Sequence, residues 1–240
     1  MTDDELISEY KKLDTASISD ALDKLRLPGS AIGIAPLFDK ARLVGRAFTV
    51  KFIPKGASNQ TSGDYLDDVP PGSVIVIDND DRVDCTVWGD IMTKFSISKG
   101  IAGTVIAGVC RDTALAIDLQ YPIFSCGRFM RTGKDRLELY AVNKPVNVGG
   151  VQVNPGDLVI GNSDGVVFVP QMAERQVLEA AQTIENTEQR IIKEIELGKG
   201  LKEAREVHGY HRLQTPEDQI AKSQQLSDQV IMAFGAISTP

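Results

Sequence analysis

The sequence predicts an α/β domain that joins a parallel sheet to an antiparallel one. Three observations carry this. Between residues 73 and 125 apolar strands alternate with amphipathic segments, and such β-α-β-α-β alternation implies parallel strands with right-handed crossovers. From residue 137 the pattern changes to short strands separated by tight turns. No linker-like segment divides the two styles. One domain over residues 1–207 is therefore expected, with 208–240 as a helical C-terminal extension packing on a neighbouring subunit.

Residues 2–27 read as helical. Asp14-Thr15 or Ser17 caps a second helix over 18–27, which Pro28-Gly29 ends. RLVGRAFTVKFI (42–53) alternates and is rich in β-branched residues, so it reads as a strand. The turn Val69-Pro70-Pro71-Gly72 leads into SVIVID (73–78), a buried strand. Residues 91–99 predict a helix with apolar positions at Ile91, Met92, Phe95 and Ile97, closed by Gly100. TVIAG (104–108) is a strand, 112–119 a helix, and YPIFS (121–125) a third strand. The antiparallel part turns at Gly149-Gly150, at Asn154-Pro155-Gly156-Asp157 and at Asn162-Ser163-Asp164-Gly165. Residues 171–207 read as one long charged helix with an apolar stripe of Val177, Leu178, Ala181, Ile184, Ile191, Ile192 and Ile195. A further helix is expected at 217–234.

Composition narrows the function. A net charge of -7 argues against broad nucleic-acid binding while leaving room for a local basic pocket. The 3 cysteines, Cys85, Cys110 and Cys126, have no CxxC or Cys/His spacing, so no structural zinc is expected. The acidic start is no signal peptide, and no apolar run reaches membrane-spanning length; a cytoplasmic protein is expected.

Chemistry concentrates in two turns, Gly89-Asp90-Ile91-Met92 and Gly108-Val109-Cys110-Arg111-Asp112. A glycine-flanked helix start offers N–H groups to an anion. Arginine offers a planar fork for a carboxylate, and aspartate suits a hard divalent cation. Each turn also reads as a helix cap, and both readings stand on the residues alone. Both turns would share one edge of the sheet, where ligands of parallel α/β sheets bind. Lys134 reads as a solvated turn lysine able to add positive charge, and Cys110 as a buried apolar residue. No nucleophile elbow surrounds Ser125 or Ser163, and no acid is placed by sequence beside His208 and His211.

An ordered set of motifs resembles the RraA-like family (regulator of ribonuclease activity A), which includes 4-hydroxy-4-methyl-2-oxoglutarate / 4-carboxy-4-hydroxy-2-oxoadipate aldolases. The set is SISDAL (17–22), LVGRAFTV (43–50), PPGSVIVID (70–78), WGDIM (88–92), GVCRD (108–112), YPIFSCG (121–127) and VGGVQVNPGDLVIGNSDGVVFVP (148–170). The resemblance implies a β/β/α sandwich with a central parallel sheet, a second antiparallel sheet and flanking helices, assembled as a homotrimer or homohexamer. It implies a substrate, a small 2-oxo acid, held by the backbone amides of Gly89, Asp90, Ile91 and Met92. Arg111 would hold the pyruvyl carboxylate. Asp112 would hold Mg2+ or Mn2+ largely through waters, with Asp90 beside that water network. The implied activity is retro-aldol cleavage releasing pyruvate, with oxaloacetate decarboxylation. The alternative within the family is a non-catalytic inhibitor of ribonuclease E. The family's aldolases also use a glutamate from a neighbouring subunit, for which Glu194 and Glu196 are candidates. Asn162 departs from the family's usual aspartate, and residues from about 200 onward depart from its usual ending.

Overall fold

The computed structural model of the protein describes residues 1–56 and 64–216. The helix expected at 217–234 lies outside the described residues, as does most of the expected extension. Helix α1 (Asp3–Tyr10) opens on a capping box, in which Thr2 and Glu5 each accept the other's backbone N–H. Helix α2 (Thr15–Lys24) follows. The Tyr10 hydroxyl donates to the Glu174 carbonyl at 2.8 Å. Arg46 pairs with both Asp3 and the buried Glu174. These contacts tie the N-terminal helix to the start of the long C-terminal one.

The strands are β1 (Ala35–Pro36), β2 (Leu43–Pro54), β3 (Val74–Thr86), β4 (Gly103–Cys110), β5 (Ile123–Arg128), β6 (Leu137–Val142), β7 (Val146–Val148), β8 (Val151–Val153), β9 (Leu158–Asn162) and β10 (Gly165–Val169). Helices α3 (Asp90–Ser98) and α4 (Thr113–Asp118) are the crossovers after β3 and β4. Eight strands form one mixed sheet in the order β1-β5-β4-β3-β2-β9-β10, with β6 also pairing β2, while β7 and β8 form a separate pair. Strand β2 explains how the two styles fit one domain. Its first residues, Leu43 to Arg46, pair antiparallel with β9, and Ala47 to Lys51 pair parallel with β3.

Period-2 alternation sends successive side chains of β3 and β4 to opposite faces. Val74, Val76, Val105 and Ala107 share a core with Val148, Val153, Val159 and Phe168 of the antiparallel strands. Ile75, Ile77 and Ile106 face the other way, into a core with Trp88, Ala116 and Tyr121. Beyond the antiparallel strands, Ile160 and Val169 pack with Ile18, Leu22, Val177, Leu178 and Ile184 of the helices. The layers are thus helices, parallel strands, antiparallel strands and helices: the expected pairing of parallel and antiparallel strands with flanking helices holds, with helices on both outer faces. Each fully buried Val, Leu or Ile contributes about 1.5–3 kcal/mol relative to exposure, so both faces of the parallel strands are secured.

Two local expectations are corrected. The predicted long helix is two helices, α5 (Glu174–Glu196) and α6 (Leu201–Val207). Gly198, at φ +92, takes a backbone conformation that ends α5 and that other residues adopt only with strain. Ile192 and Ile195 of the stripe are exposed, while Ile191 is buried. Helix α3 turns Thr93 and Ser96 inward and leaves Ile91, Phe95 and Ile97 exposed, so that of its apolar positions Met92 alone packs against the core.

Candidate active site

Adjacent parallel strands β3 and β4 end side by side, and their continuations carry the two turns to one place. Gly89 is the N-cap of α3, and Asp90 is the first helical residue rather than the cap. The Asp90 carboxylate accepts the N–H of Ile91 at 2.7 Å. Asp112 holds the N-cap position of α4, but its carboxylate makes no bond to that helix. It lies across the gap instead, accepting the N–H of Asp90 at 3.3 Å. Asp112 reaches that position through a left-handed backbone, φ 55 and ψ 36, which costs a non-glycine residue about 1–2 kcal/mol. The Arg111 N–H donates to the Trp88 carbonyl at 3.1 Å, closing the two turns on each other.

The approach is tight. A Cβ on residue 89 would lie 2.8 Å from Asp112 Oδ2 and 3.5 Å from Arg111 Nε, so glycine there is a requirement of the contact. Arg111 Nε and Asp112 Oδ2 are 3.3 Å apart, and both side chains are partly exposed. That pairing uses Nε, while the guanidinium's terminal nitrogens carry its remaining donors.

Gly89, Asp90, Ile91, Met92 and Arg111 line one open cleft of about 250 Å3. The volume suits a small acid. Asp112 does not line it and stands behind the Asp90 amide. Lys134, read from sequence as a solvated turn residue, does line the cleft, together with Thr132 and Gly133 of the same turn. The remaining wall is Phe52, Thr86, Val87, Trp88 and Leu137. Sequence reasoning missed these because each reads as an ordinary strand or core residue. Trp88, directly before Gly89, was the available signal, since it is the single tryptophan of the chain.

The other candidates lie elsewhere. Cys110 is fully buried, and burial pushes its thiol up, in keeping with an inert core residue. The Ser125 hydroxyl donates to the Gly127 carbonyl at 3.0 Å. Asn162 Oδ1 accepts from the Thr15 hydroxyl at 2.6 Å and from the Asp164 N–H at 2.9 Å. An aspartate could accept both bonds, so the departure from the family pattern preserves the turn. His208 has an acidic partner after all: its Nε2 lies 3.1 Å from Glu194 Oε1 across the α5–α6 hairpin. Lys199 approaches the other Glu194 oxygen at 2.9 Å, and its hydrogen bond holds that carboxyl below the usual range. Glu194 is thus engaged within its own chain, whereas Glu196 is exposed.

Among the described residues, no three or more His, Cys, Asp or Glu side chains are grouped to hold a metal. The donors beside the cleft are the Asp112 and Asp90 carboxylates. An oxygen-only set of one or two carboxylates fits Mg2+, which keeps several waters, and does not fit zinc. No helix among the described residues is long and apolar enough to cross a membrane.

Residues 15–168 match the family model RraA-like: Aldolase/RraA. The chain is 36% identical over 212 residues to Protein DlpA of Legionella pneumophila subsp. pneumophila, covering 86% of this chain but 34% of that protein. The chain thus spans about a third of that relative's length. It is also 36% identical over 185 residues to a Halalkalibacterium halodurans protein named "Putative 4-hydroxy-4-methyl-2-oxoglutarate aldolase", covering 74% of this chain and 82% of that one. The crystal structure of an uncharacterized protein from Pseudomonas syringae pv. tomato superposes with a TM-score of 0.82 at 47% identity, covering 86% and 95% of the two chains. Streptomyces coelicolor RraAS2, described as an unusual member of the RNase ES inhibitor RraA family, gives 0.73 at 28% identity, covering 78% and 96%. On its motifs, its fold and these matches, the chain belongs to the RraA-like family.

Proposed function

We propose that the cleft is the active site of a divalent-metal-dependent lyase that releases pyruvate from a 4-hydroxy or 4-carboxy 2-oxo acid. The observation that carries this reading is the convergence of the α3 N-terminus and Arg111 on one small cleft, with the Asp112 carboxylate directly behind. The α3 amides and dipole favour a negative charge. Arg111 would hold the substrate carboxylate in its fork, and Lys134 would add positive charge at the rim. Phe52, Val87, Trp88 and Leu137 would exclude water around the reacting carbons.

Mg2+ or Mn2+ held by Asp112, with Asp90 close by, would supply Lewis-acid polarisation of the 2-oxo oxygen. In cleavage, the 4-hydroxyl loses its proton and the C3–C4 bond breaks, with its electron pair passing into the 2-oxo unit. Asp90 would take that proton through a water. The negative oxygen that develops would face Arg111 and the Met92 amide, since the Asp90 and Ile91 N–H groups already donate to carboxylates, a preorganised electrostatic contribution. Protonation at C3 then gives pyruvate, and oxaloacetate decarboxylation would pass through the same charge distribution.

The test is a panel of 2-oxo acids, oxaloacetate included, assayed for pyruvate release with and without Mg2+ or Mn2+. Metal-dependent release from at least one member is expected, and no release from any member contradicts the reading. A second reading, a protein inhibitor of a ribonuclease, is favoured by the likeness to RraAS2. Co-purification with a ribonuclease E and inhibition of its cleavage, in a protein that releases no pyruvate, would select it. The subunits are expected to form homotrimers or homohexamers, which light scattering would measure.

A further inference from the structure

We propose that Thr86 is the positioning residue of this site, fixing through its hydroxyl and its backbone together the spacing of the three segments that line the cleft. The inference rests on the cleft being the reaction site and adds a residue that makes no contact with the reacting atoms in that scheme. Thr86 is the last residue of β3 and is 5% exposed. Its Oγ1 accepts the Trp88 N–H at 3.1 Å and lies 2.9 Å from both the Trp88 and Val109 carbonyls. One hydroxyl proton is shared between those two acceptors. The first belongs to the segment that becomes Gly89–Met92, the second to the segment that becomes Arg111–Asp112. The backbone of Thr86 holds the third segment. Its N–H donates to the Arg131 carbonyl at 2.9 Å, and its carbonyl accepts the Gly133 N–H at 3.0 Å. A Cβ on residue 133 would lie 2.5 Å from that carbonyl oxygen, so the Lys134 turn is seated on Thr86 with no room to spare.

A β-strand residue needs only its backbone to pair with its neighbours. Here the strand ladder has already broken, with register shifts between Asp78 and Arg82 and again between Arg82 and Thr86. The ladder resumes at Thr86, which pairs with Val109, and the hydroxyl adds a side-chain link between the two strand ends at that point. Valine at this position would keep the shape and the β-branch, yet would leave the Trp88 N–H and the Val109 carbonyl without this partner. A buried group left so is costly, while serine keeps the hydroxyl and loses only a methyl.

The experiment compares the full-length protein with Thr86→Val and Thr86→Ser by backbone hydrogen exchange, oxalate binding in Mg2+ and pyruvate release from oxaloacetate. Thr86→Val is expected to speed exchange at Trp88 to Met92 and to weaken oxalate binding about tenfold, the size of one lost buried hydrogen bond. Thr86→Ser is expected to restore both to within about twofold. Unchanged exchange and binding in Thr86→Val would overturn the proposal. So would a Thr86→Ser protein as impaired as Thr86→Val, because the methyl rather than the hydroxyl would then matter. If Thr86→Val does not fold, Gly133→Ala tests the same node from the third segment. It should alter exchange at Gly89 to Met92, and a change confined to its own turn counts against the proposal. Exchange does not depend on turnover, so a wild-type protein that releases no pyruvate would defeat the lyase reading and leave this one decided separately.

Discussion

Helices α3 and α5 both look amphipathic in the sequence, yet they turn opposite faces to the protein. Helix α5 buries its apolar stripe, from Val177 to Ile184, against α2 and the antiparallel strands. Helix α3 buries Thr93 and Ser96 and leaves Ile91 80% and Ile97 41% exposed. The difference lies in what each helix is anchored by. Side-chain burial orients α5 along its length, with the Glu174 contacts to Tyr10 and Arg46 holding its start. By contrast, α3 is oriented at its first turn, where the Trp88 indole N–H donates to Thr93 Oγ1 at 2.9 Å and that hydroxyl lies 3.0 Å from the Gly89 carbonyl. Trp88 itself stacks on Tyr121 with ring centroids 6.2 Å apart. A helix that presents its N-terminus to a cleft is set by hydrogen bonds near that end, and its apolar pattern then becomes a poor guide.

Substitutions can break or sharpen this contrast. Leu178→Ala in α5 should lower stability by about 2–5 kcal/mol through the cavity it leaves, with turnover per folded molecule unchanged. Chemical denaturation paired with an activity assay checks both halves. Thr93→Val in α3 removes the partner of a buried indole N–H, and should cost about 1–3 kcal/mol while also lowering activity. A stability loss with intact activity would show that α3 behaves like α5. Arg111→Lys should raise KM about tenfold with little change in melting temperature, since a point charge does not reproduce the fork. Ile97→Ser should lower stability by no more than about 1 kcal/mol, because the side chain is only partly buried. A larger loss would mean that this face is covered in the assembled protein.

The same contrast explains what could be read without coordinates. The parallel and antiparallel styles were legible because buried strands such as 73–78 and 104–108 need unbroken apolar runs, and that need is local. The pairing of Asp90 with Arg111-Asp112 was legible because parallel strands bring their C-terminal ends together. The direction of the Asp112 carboxylate was not, since a left-handed residue capping the other helix looks the same in sequence as one capping its own. Nor was the role of Thr86, whose four partners lie in three separate segments. The break at Gly198 was not read: one charged helix was carried across Gly198 and Gly200, past the last residue of the apolar stripe. Glu194 met His208 only because that break folds α6 back on α5.

The central claim is that Asp112 holds a divalent cation for chemistry on a 2-oxo acid bound at Arg111. It is tested most directly by pyruvate release from oxaloacetate in Mg2+, measured for the wild type, for the wild type in EDTA and for Asp112→Ala. Metal-dependent release is predicted for the wild type, falling by at least about a hundredfold both in EDTA and in a folded Asp112→Ala protein. Equal release from Asp112→Ala and wild type would contradict the account.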